Sequence, residues 1–263
     1  MQHLKQYLTF AHTLADAAKT VTLPYFQQDK SVEIKPDNSP VTVADKRCEQ
    51  TLRAAIQKHY PNHAILGEEY GAQTANGPFQ WVIDPIDGTR SFIANNPRFG
   101  TLIALLYEGK PVVNLIDMPA LNQRFTATIN TPCLANGKVV QSSEMKRLAN
   151  ASLAWTDDAY FLPEELHLAN GVKDKVKHTI KGGDCYLFTR LASGEIDLVI
   201  EAGLKPWDYM ALILIVEKAG GVMTDWQNNP LTIQSFQESR GRVLAAANPT
   251  LHQQARQLLN KKA

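Results

Sequence analysis

Acidic residues recur in this sequence at points where predicted strands end or predicted helices begin. The acids are Asp45, Glu68, Glu69, Asp84, Asp87 and Asp208. Acids in such places can converge in space, and grouped carboxylates repel one another unless a cation lies between them. Their oxygen atoms are hard ligands with no Cys or His partner, so the pattern favours Mg²⁺ or Mn²⁺ over Zn²⁺.

The segment 84–89, Asp-Pro-Ile-Asp-Gly-Thr, combines two of these acids with a turn. The proline restricts the backbone so that Asp84 and Asp87 point to the same side, and the glycine permits a tight turn. Thr89 then begins a helix whose free N–H groups can bind an anion, for which phosphate is the natural candidate. Carboxylate-bound metals beside such a helix are the parts needed for phosphate-ester hydrolysis.

Each acid also has a purely structural interpretation. Asp45 could complete a capping box with Thr42, and Asp208 could be a helix N-cap. Residues 68–69 could be a solvated pair, and residues 84–89 could be a plain turn, because Asp-Gly favours turns. Only the joint pattern favours the metal site over these alternatives.

The elements that must position these acids alternate along the chain, which predicts a mixed α and β fold. Apolar periodicity predicts helices over residues 4–26, 42–60, 186–192 and 208–219 and at the C-terminus. Apolar runs predict strands over residues 64–67, 81–83, 100–106, 111–117, 124–130, 138–140, 153–155, 196–200 and 242–247. Residues 29–40 are polar and predict a loop.

Composition excludes several classes of protein. The chain has 263 residues, 44% apolar, and a net charge of +1 without a basic tail or acidic block. We therefore expect neither a nucleic-acid nor a membrane partner. Three cysteines in no CxxC pair are typical of a reducing compartment. With no signal-like or bilayer-spanning apolar run, the sequence predicts a cytoplasmic protein.

Four segments together resemble the inositol monophosphatase superfamily of Mg²⁺-dependent, lithium-sensitive phosphatases. They are GEE at 67–69, DPIDGT at 84–89, PWD at 206–208 and the mobile-loop-like segment KPDNSPVTVAD at 35–45. The resemblance implies an α+β fold, a layered α/β/α/β/α sandwich of the inositol monophosphatase and fructose-1,6-bisphosphatase type, assembled as a homodimer. A change in the pattern of elements after about residue 140 predicts a boundary within one compact unit. The N-terminal half, 1–140, would carry most metal ligands, and the C-terminal half, 141–263, Asp208 and the specificity residues.

The same resemblance implies a set of metal ligands. Glu68, Asp84 and the Ile86 carbonyl would hold a first Mg²⁺, and Asp84, Asp87 and Asp208 a second. Glu68 would hold a weaker third ion with water, and Mn²⁺ could substitute. Two to three ions per site are therefore expected.

Catalytic and phosphate-binding roles follow from the resemblance as well. Thr89, supported by Asp45, would orient and deprotonate the attacking water, with Glu68 as the third catalytic residue. The backbone amides of Gly88 and Thr89 would bind phosphate. The reaction implied is hydrolysis of a small phosphorylated metabolite by direct attack of water.

Later segments, among them GDCY at 183–186 and EAGLKPWDY at 201–209, resemble the histidinol-phosphate phosphatases of this superfamily. Histidinol phosphate carries an ammonium group and an imidazole, which two carboxylates would favour through charge-assisted hydrogen bonds. Asp184 and Glu201 are the candidates, with Asp208 beside them. Asp184 could instead be an N-cap, and Glu201 would suit inositol hydroxyls equally well.

Histidinol-phosphate phosphatase, a step of histidine biosynthesis, is therefore the leading hypothesis. The alternatives are an inositol-1-monophosphatase, a 3′(2′),5′-bisphosphate nucleotidase, and a non-catalytic metal-binding protein of the same fold. The nucleotidase is disfavoured because residues 182–207 offer acids rather than the basic or aromatic groups that a nucleotide needs. An aspartyl-phosphate phosphotransferase is disfavoured because its Asp-x-Asp spacing is not that of residues 84–87.

Overall fold

The structure is a computed structural model that describes residues 2–28, 32–35 and 40–260. Its helices are α1 Gln2–Thr22, α2 Val43–His59, α3 Thr89–Ile93, α4 Pro163–Lys173, α5 Cys185–Ala192, α6 Pro206–Tyr209, α7 Ile213–Lys218, α8 Phe236–Ser239 and α9 Pro249–Leu259. Its strands are β1 Val32–Ile34, β2 Pro40–Thr42, β3 Ala64–Gly67, β4 Gly71–Gln73, β5 Phe79–Asp87, β6 Gly100–Tyr107, β7 Lys110–Met118, β8 Gln123–Thr128, β9 Leu134–Ala135, β10 Lys138–Val139, β11 Ser152–Trp155, β12 His178–Lys181, β13 Leu198–Glu201, β14 Val222–Thr224 and β15 Val243–Ala246.

These strands form two large sheets and one small hairpin. The larger sheet has eight strands in the order β10-β9-β8-β7-β6-β5-β3-β4 among the described residues, and it is antiparallel except between β3 and β5. The second sheet has five described strands in the order β12-β11-β13-β15-β14, with β11 parallel to both its neighbours. The hairpin pairs β1 with β2.

One face of the larger sheet is covered by α1 and α2. Apolar residues recur on α1 at three-and-four spacing, and the resulting stripe packs against α2 and the sheet, because burying apolar surface is favourable. Trp81 and Ile83 of β5 point to this side, while Val82 between them points to the opposite face. This alternation is expected of a strand that is buried on both faces.

The opposite face of that sheet packs against α5 and α7, which lie between the two sheets. The same apolar core continues to Ala154, Val199 and Ala245 of the five-stranded sheet. The far face of the second sheet packs against α4 and α9. The order of layers is therefore helices, sheet, helices, sheet, helices, and the predicted α/β/α/β/α sandwich is confirmed.

Two predictions about local structure were wrong. The polar segment 29–40, predicted to be a loop, includes a strand, Val32–Ile34. Residues 29–31 and 36–39 lie outside the described residues, and residues 36–39 are part of the segment 35–45 that resembles the family. The helix predicted over 208–219 is two helices, α6 and α7. Between them Leu212 N bonds to Tyr209 O in a tighter turn, and Asn114 Nδ2 donates to the Met210 carbonyl at 2.5 Å.

The helix α4 was missed, although Pro163 at its first position is a typical start signal. The division into halves near residue 140 stays a prediction. The eight-stranded sheet is built from residues 64–139 and the five-stranded sheet from residues 152–246, and one apolar core joins them.

Candidate active site

The end of β5 and the residues that follow it, 84–89, are shaped by a local hydrogen bond and by one from β6. The pairing of β5 with β6 shifts register between Asp84 and Asp87, which is a bulge. Ile86 N donates to Asp84 Oδ1 at 3.0 Å, and Thr101 Oγ1 donates to the Pro85 carbonyl at 2.9 Å. Bulges often redirect side chains near functional sites, and here the bulge keeps both aspartates at one end of the sheet.

Asp84, Asp87 and Asp208 form a three-acid cluster. One carboxylate oxygen from each lies within 4.8 Å of the others, close enough for a single metal ion to contact all three. Asp208 reaches the cluster from α6, where its Oδ2 accepts a hydrogen bond of 2.7 Å from Lys205 N. The helix begins at Pro206, so Asp208 is its third residue, and the N-cap interpretation of Asp208 is wrong.

The electrostatics of the three-acid cluster fit a divalent cation. Burial raises the pKa of Asp84, and the neighbouring carboxylates of Glu68, Asp87 and Asp208 raise it further. Burial also raises the pKa of Asp87 to about 6 and that of Asp208 well above its usual range. Buried carboxylates that repel one another are relieved by a metal ion, and an all-oxygen donor set suits hard cations.

Glu68 lies beside Asp84 at the end of β3 and contacts a lysine that sequence reasoning did not assign to the site. Lys35 Nζ lies 2.7 Å from Glu68 Oε1 and 2.8 Å from Glu69 Oε1. Residues 68–69 are therefore an ion-paired group and not a solvated pair. Lys35 opens the segment 35–45 that carried part of the family resemblance, so that segment was the available signal.

Thr89 is the first residue of α3, as the sequence predicted. Its Oγ1 lies 3.1 Å from the Ile86 carbonyl and 3.5 Å from Asp45 Oδ1. The residue before it, Gly88, has φ +80°, a left-handed conformation that glycine adopts at little cost. Within the described part of the chain no side chain caps α3, so its first N–H groups remain available to a ligand.

Asp45 serves the structure and the site at once. Its Oδ2 accepts hydrogen bonds from Thr42 N at 2.8 Å and Thr42 Oγ1 at 2.5 Å, which completes the capping box at the start of α2. Its Oδ1 faces Thr89. Burial raises the pKa of Asp45 to about 6, which suits a group that accepts a proton near neutral pH.

A cavity of about 450 Å³ opens beside the three-acid cluster, and Asp184 and Glu201 both line it. Asp184 precedes α5 at the N-cap position, but its side chain makes no capping hydrogen bond. Its Oδ2 lies instead 3.5 Å from Ser91 Oγ of α3. Burial, and then the charge of Asp87, raise the pKa of Asp184 to about 7.

Glu201 ends β13 and is held by one oxygen only. Its Oε1 accepts hydrogen bonds from Thr156 N at 2.8 Å and Thr156 Oγ1 at 2.7 Å. Its Oε2 is buried and has no protein partner among the described residues. Burial raises the pKa of Glu201 to about 8. A buried oxygen without a partner is costly, so a donor entering the cavity would bind there.

Sequence reasoning missed a wall of this cavity formed by Tyr160, Arg90 and Arg240. The Arg90 guanidinium lies 5.1 Å from the centre of the Tyr160 ring and 3.5 Å from Asp157 Oδ2. Arg240 donates to the Tyr160 carbonyl at 3.1 Å. Tyr160 lies in residues 156–160, which directly follow the predicted strand 153–155. A search for functional side chains at the ends of predicted strands, as made for the acids, would have found this residue.

No helix in residues 2–28, 32–35 and 40–260 is long and apolar enough to cross a bilayer.

The chain is similar over its whole length to known phosphatases. Residues 3–263 match the inositol monophosphatase family. The bifunctional phosphatase IMPL2 of Arabidopsis thaliana chloroplasts is 40% identical over 96% of this chain and 74% of its own length. A histidinol-phosphatase of Chlorobaculum parvum is 34% identical over 91% of this chain and 95% of its own.

A solved inositol monophosphatase from Zymomonas mobilis has the same fold, with a TM-score of 0.88 and 38% identity over 98% of both chains. The family resemblance, the sandwich fold and the phosphatase class predicted from the sequence are confirmed by these comparisons. The chain belongs to the inositol monophosphatase family and is a metal-dependent phosphatase of small phosphorylated substrates.

Proposed function

We propose that the protein hydrolyses L-histidinol phosphate to L-histidinol and phosphate. The observation that carries this proposal is the pair of carboxylates in the cavity beside the three-acid cluster, half-buried Asp184 and buried Glu201. Three curated relatives that are 31–35% identical are named histidinol-phosphatases, and one that is 32% identical is named an inositol monophosphatase. The groups that line the cavity therefore determine which of these substrates is preferred.

We propose Mg²⁺ as the cofactor, with Mn²⁺ able to replace it. Glu68, Asp84 and the Ile86 carbonyl would hold one ion and the three-acid cluster a second, with a third at Glu68. Bound at these oxygens, the ions would activate water and offset negative charge on the phosphate. Their all-oxygen donor set, burial and mutual repulsion support this assignment.

The chain's own residues would move the proton and hold the phosphate. The Thr89 hydroxyl would accept a proton from water and pass its own to Asp45 Oδ1, 3.5 Å away. The Thr42 bonds to the other oxygen of Asp45 fix that carboxylate during the transfer. The N–H groups of Gly88 and Thr89 would bind the phosphate oxygens at the start of α3.

The rest of the substrate would lie in the cavity between Asp184 and Glu201. A bound ammonium or imidazolium lowers the pKa of a nearby carboxyl, so both acids would ionise as the cation binds. Glu201 Oε2 has no protein donor among the described residues and would receive one from the substrate. Asp208 would contact the substrate at the boundary between the cavity and the metal ions.

The test compares kcat/KM for histidinol phosphate and inositol 1-phosphate in saturating Mg²⁺, with and without Li⁺, which we expect to inhibit. Histidinol phosphate should be preferred. Asp184→Asn should lower kcat/KM for histidinol phosphate by about 10- to 100-fold, the value of a charge-assisted hydrogen bond, and for inositol 1-phosphate far less. Asp16→Asn, an exposed acid that pairs with Arg124 and does not line the cavity, is the matched control. A preference for inositol 1-phosphate, or equal losses on both esters, would contradict the substrate assignment.

Two features of the cavity are reasons to assay other phosphate esters as well. The free oxygen of Glu201 would accept an inositol hydroxyl as readily as an N–H, which favours inositol-1-monophosphatase as the second candidate. Tyr160 and Arg90 add to the cavity the aromatic and basic groups that a nucleotidase needs and that residues 182–207 do not account for. A 3′(2′),5′-bisphosphate nucleotide therefore belongs in the panel.

We propose in addition a cytoplasmic homodimer that acts in histidine biosynthesis. Mass measurement in solution tests the dimer. A metal-binding protein of this fold without catalysis would show bound Mg²⁺ but release no phosphate from any of these esters.

A further inference from the structure

The interior of α2 contains a glutamate whose role the mechanism above does not use. Glu49 is 0% exposed, and a carboxylate so placed needs partners. One partner is Arg53, whose Nε lies 2.7 Å from Glu49 Oε1, one helical turn along α2. The other partners are backbone N–H groups of a different element.

Those N–H groups belong to the turn between β3 and β4. Glu69 N donates to Glu49 Oε2 at 2.7 Å, and Tyr70 N donates to Glu49 Oε1 at 3.2 Å. Arg53 Nη2 in turn donates to the carbonyl of Gly71, where β4 begins. Glu49 and Arg53 therefore bond to the donors and an acceptor of one turn, the turn that carries Glu68.

Gly67 allows this contact. A Cβ atom built on Gly67 would overlap the Glu49 carboxylate, so only a residue without a side chain leaves room for it. Gly67 pairs with Gly71 across β3 and β4, so the carboxylate lies directly beneath the turn. Close packing against the Glu49 carboxylate thus explains why the GEE segment begins with a glycine.

The same helix supports the other side of the site. Asp45, which faces Thr89, lies four residues before Glu49, so α2 presents both side chains one turn apart. We propose that Glu49, with Arg53, is a positioning residue that holds the turn after β3 so that Glu68 meets the metal ions. This inference rests on the proposed metal role of Glu68.

The test is direct Mn²⁺ binding, measured by titration calorimetry and by electron paramagnetic resonance on the full chain. Glu49→Gln keeps the volume of the side chain but removes its charge and one acceptor. We expect the Mn²⁺ dissociation constant and the half-saturating Mg²⁺ concentration to rise by about 10- to 100-fold, as for residues that orient metal ligands. At saturating Mg²⁺, kcat should recover to within a few-fold of the unsubstituted enzyme.

The matched control is Asp197→Asn. Asp197 is also a buried carboxylate that accepts a backbone N–H, from Ser152 at 2.7 Å, but it lies before β13, at the end opposite Glu201. Its loss should lower the melting temperature and leave Mn²⁺ affinity unchanged. Unchanged affinity in Glu49→Gln, or an equal change in Asp197→Asn, would overturn the proposal.

A second variant covers the case in which Glu49→Gln does not fold. Arg53→Lys keeps the positive charge near Glu49 but cannot bond to both Glu49 and Gly71, and it should weaken Mn²⁺ binding by a smaller factor. Unchanged binding in folded Arg53→Lys would count against the proposal. Asp87→Asn separates the two levels of inference: if it leaves Mn²⁺ binding intact, the proposed metal site fails. If it weakens binding and Glu49→Gln does not, only the positioning role fails.

Discussion

Asp87 Oδ2 accepts a hydrogen bond of 2.7 Å from the backbone N of Cys185, 98 residues further along the chain. The bond joins the last residue of β5 to the first residue of α5. Asp184, immediately before that helix, is thereby set beside Gly88, where an added Cβ would lie 2.9 Å from its Oδ2. The position of the cavity acid thus depends on a residue of the three-acid cluster.

Asp87→Asn should separate folding from metal binding. The amide oxygen can still accept from Cys185 N, so the join to α5 survives while the charge is lost. We expect kcat/KM to fall by more than about 100-fold and Mg²⁺ to lose most of its stabilising effect on the melting temperature. Asp16→Asn, a remote exposed acid, is the control. Near-normal activity of Asp87→Asn would count against the metal assignment.

The Thr89 hydroxyl can be tested by a pair of variants. Thr89→Val keeps the shape of the side chain but has no hydroxyl to exchange a proton with Asp45, and kcat should fall by about 10²- to 10⁴-fold. Thr89→Ser retains the hydroxyl and should keep most of the activity. Measuring kcat for both at saturating Mg²⁺ distinguishes them, and equal losses would mean that the hydroxyl carries no proton.

Gly67→Ala should disturb the site through Glu49. The new methyl group would overlap the Glu49 carboxylate, which has to move and loosen its bonds to the turn that carries Glu68. We expect destabilisation of about 1–3 kcal/mol from overpacking, measured by urea unfolding, together with weaker Mn²⁺ binding. Gly171→Ala, in a helix with open space around it, is the control. Wild-type stability in Gly67→Ala would show that the turn tolerates displacement.

His252 should make stability depend on pH. Its Nε2 lies 2.8 Å from Thr224 Oγ1, whose hydroxyl donates to the Asp225 carbonyl, so Nε2 carries a hydrogen and donates to Thr224. Burial, and then the charge of Arg256, lower the pKa of His252 from 6.5 to about 4. Between these values the unfolded chain binds more protons, so the free energy of unfolding falls as pH falls, by at most about 3 kcal/mol.

The check is urea unfolding of the unsubstituted protein and of His252→Gln at several pH values from 7 to about 4. Glutamine keeps a donor for Thr224 and does not titrate, so the difference between the two proteins isolates the histidine. As the pH falls, the free energy of unfolding of the unsubstituted protein should decrease more than that of His252→Gln. A constant gap would refute the assignment.

How much of the fold was predictable depended on whether its signals were local. The stripe on α1 and the β6–β7 hairpin were predicted correctly, since the periodicity of the helix and the apolar runs of the two strands are local signals. The break between α6 and α7 was not, because it is stabilised by Asn114, a residue 96 positions away from the Met210 carbonyl it binds. The strand β1 was hidden in a polar segment because its residues are exposed and carry no burial pattern.

The sequence by itself determined the reaction class and the fold, because residues 67–69, 84–89 and 206–208 carry the acids, the turn and the helix start as local patterns. Only the tertiary structure decided how these parts meet. It brought Asp208 within 4.8 Å of Asp84 and Asp87, bonded Asp87 to Cys185, and left one oxygen of Glu201 without a protein donor among the described residues. The physical reason is that proximity, burial and unmet hydrogen bonds belong to side chains packed together from distant segments, and no local pattern records them.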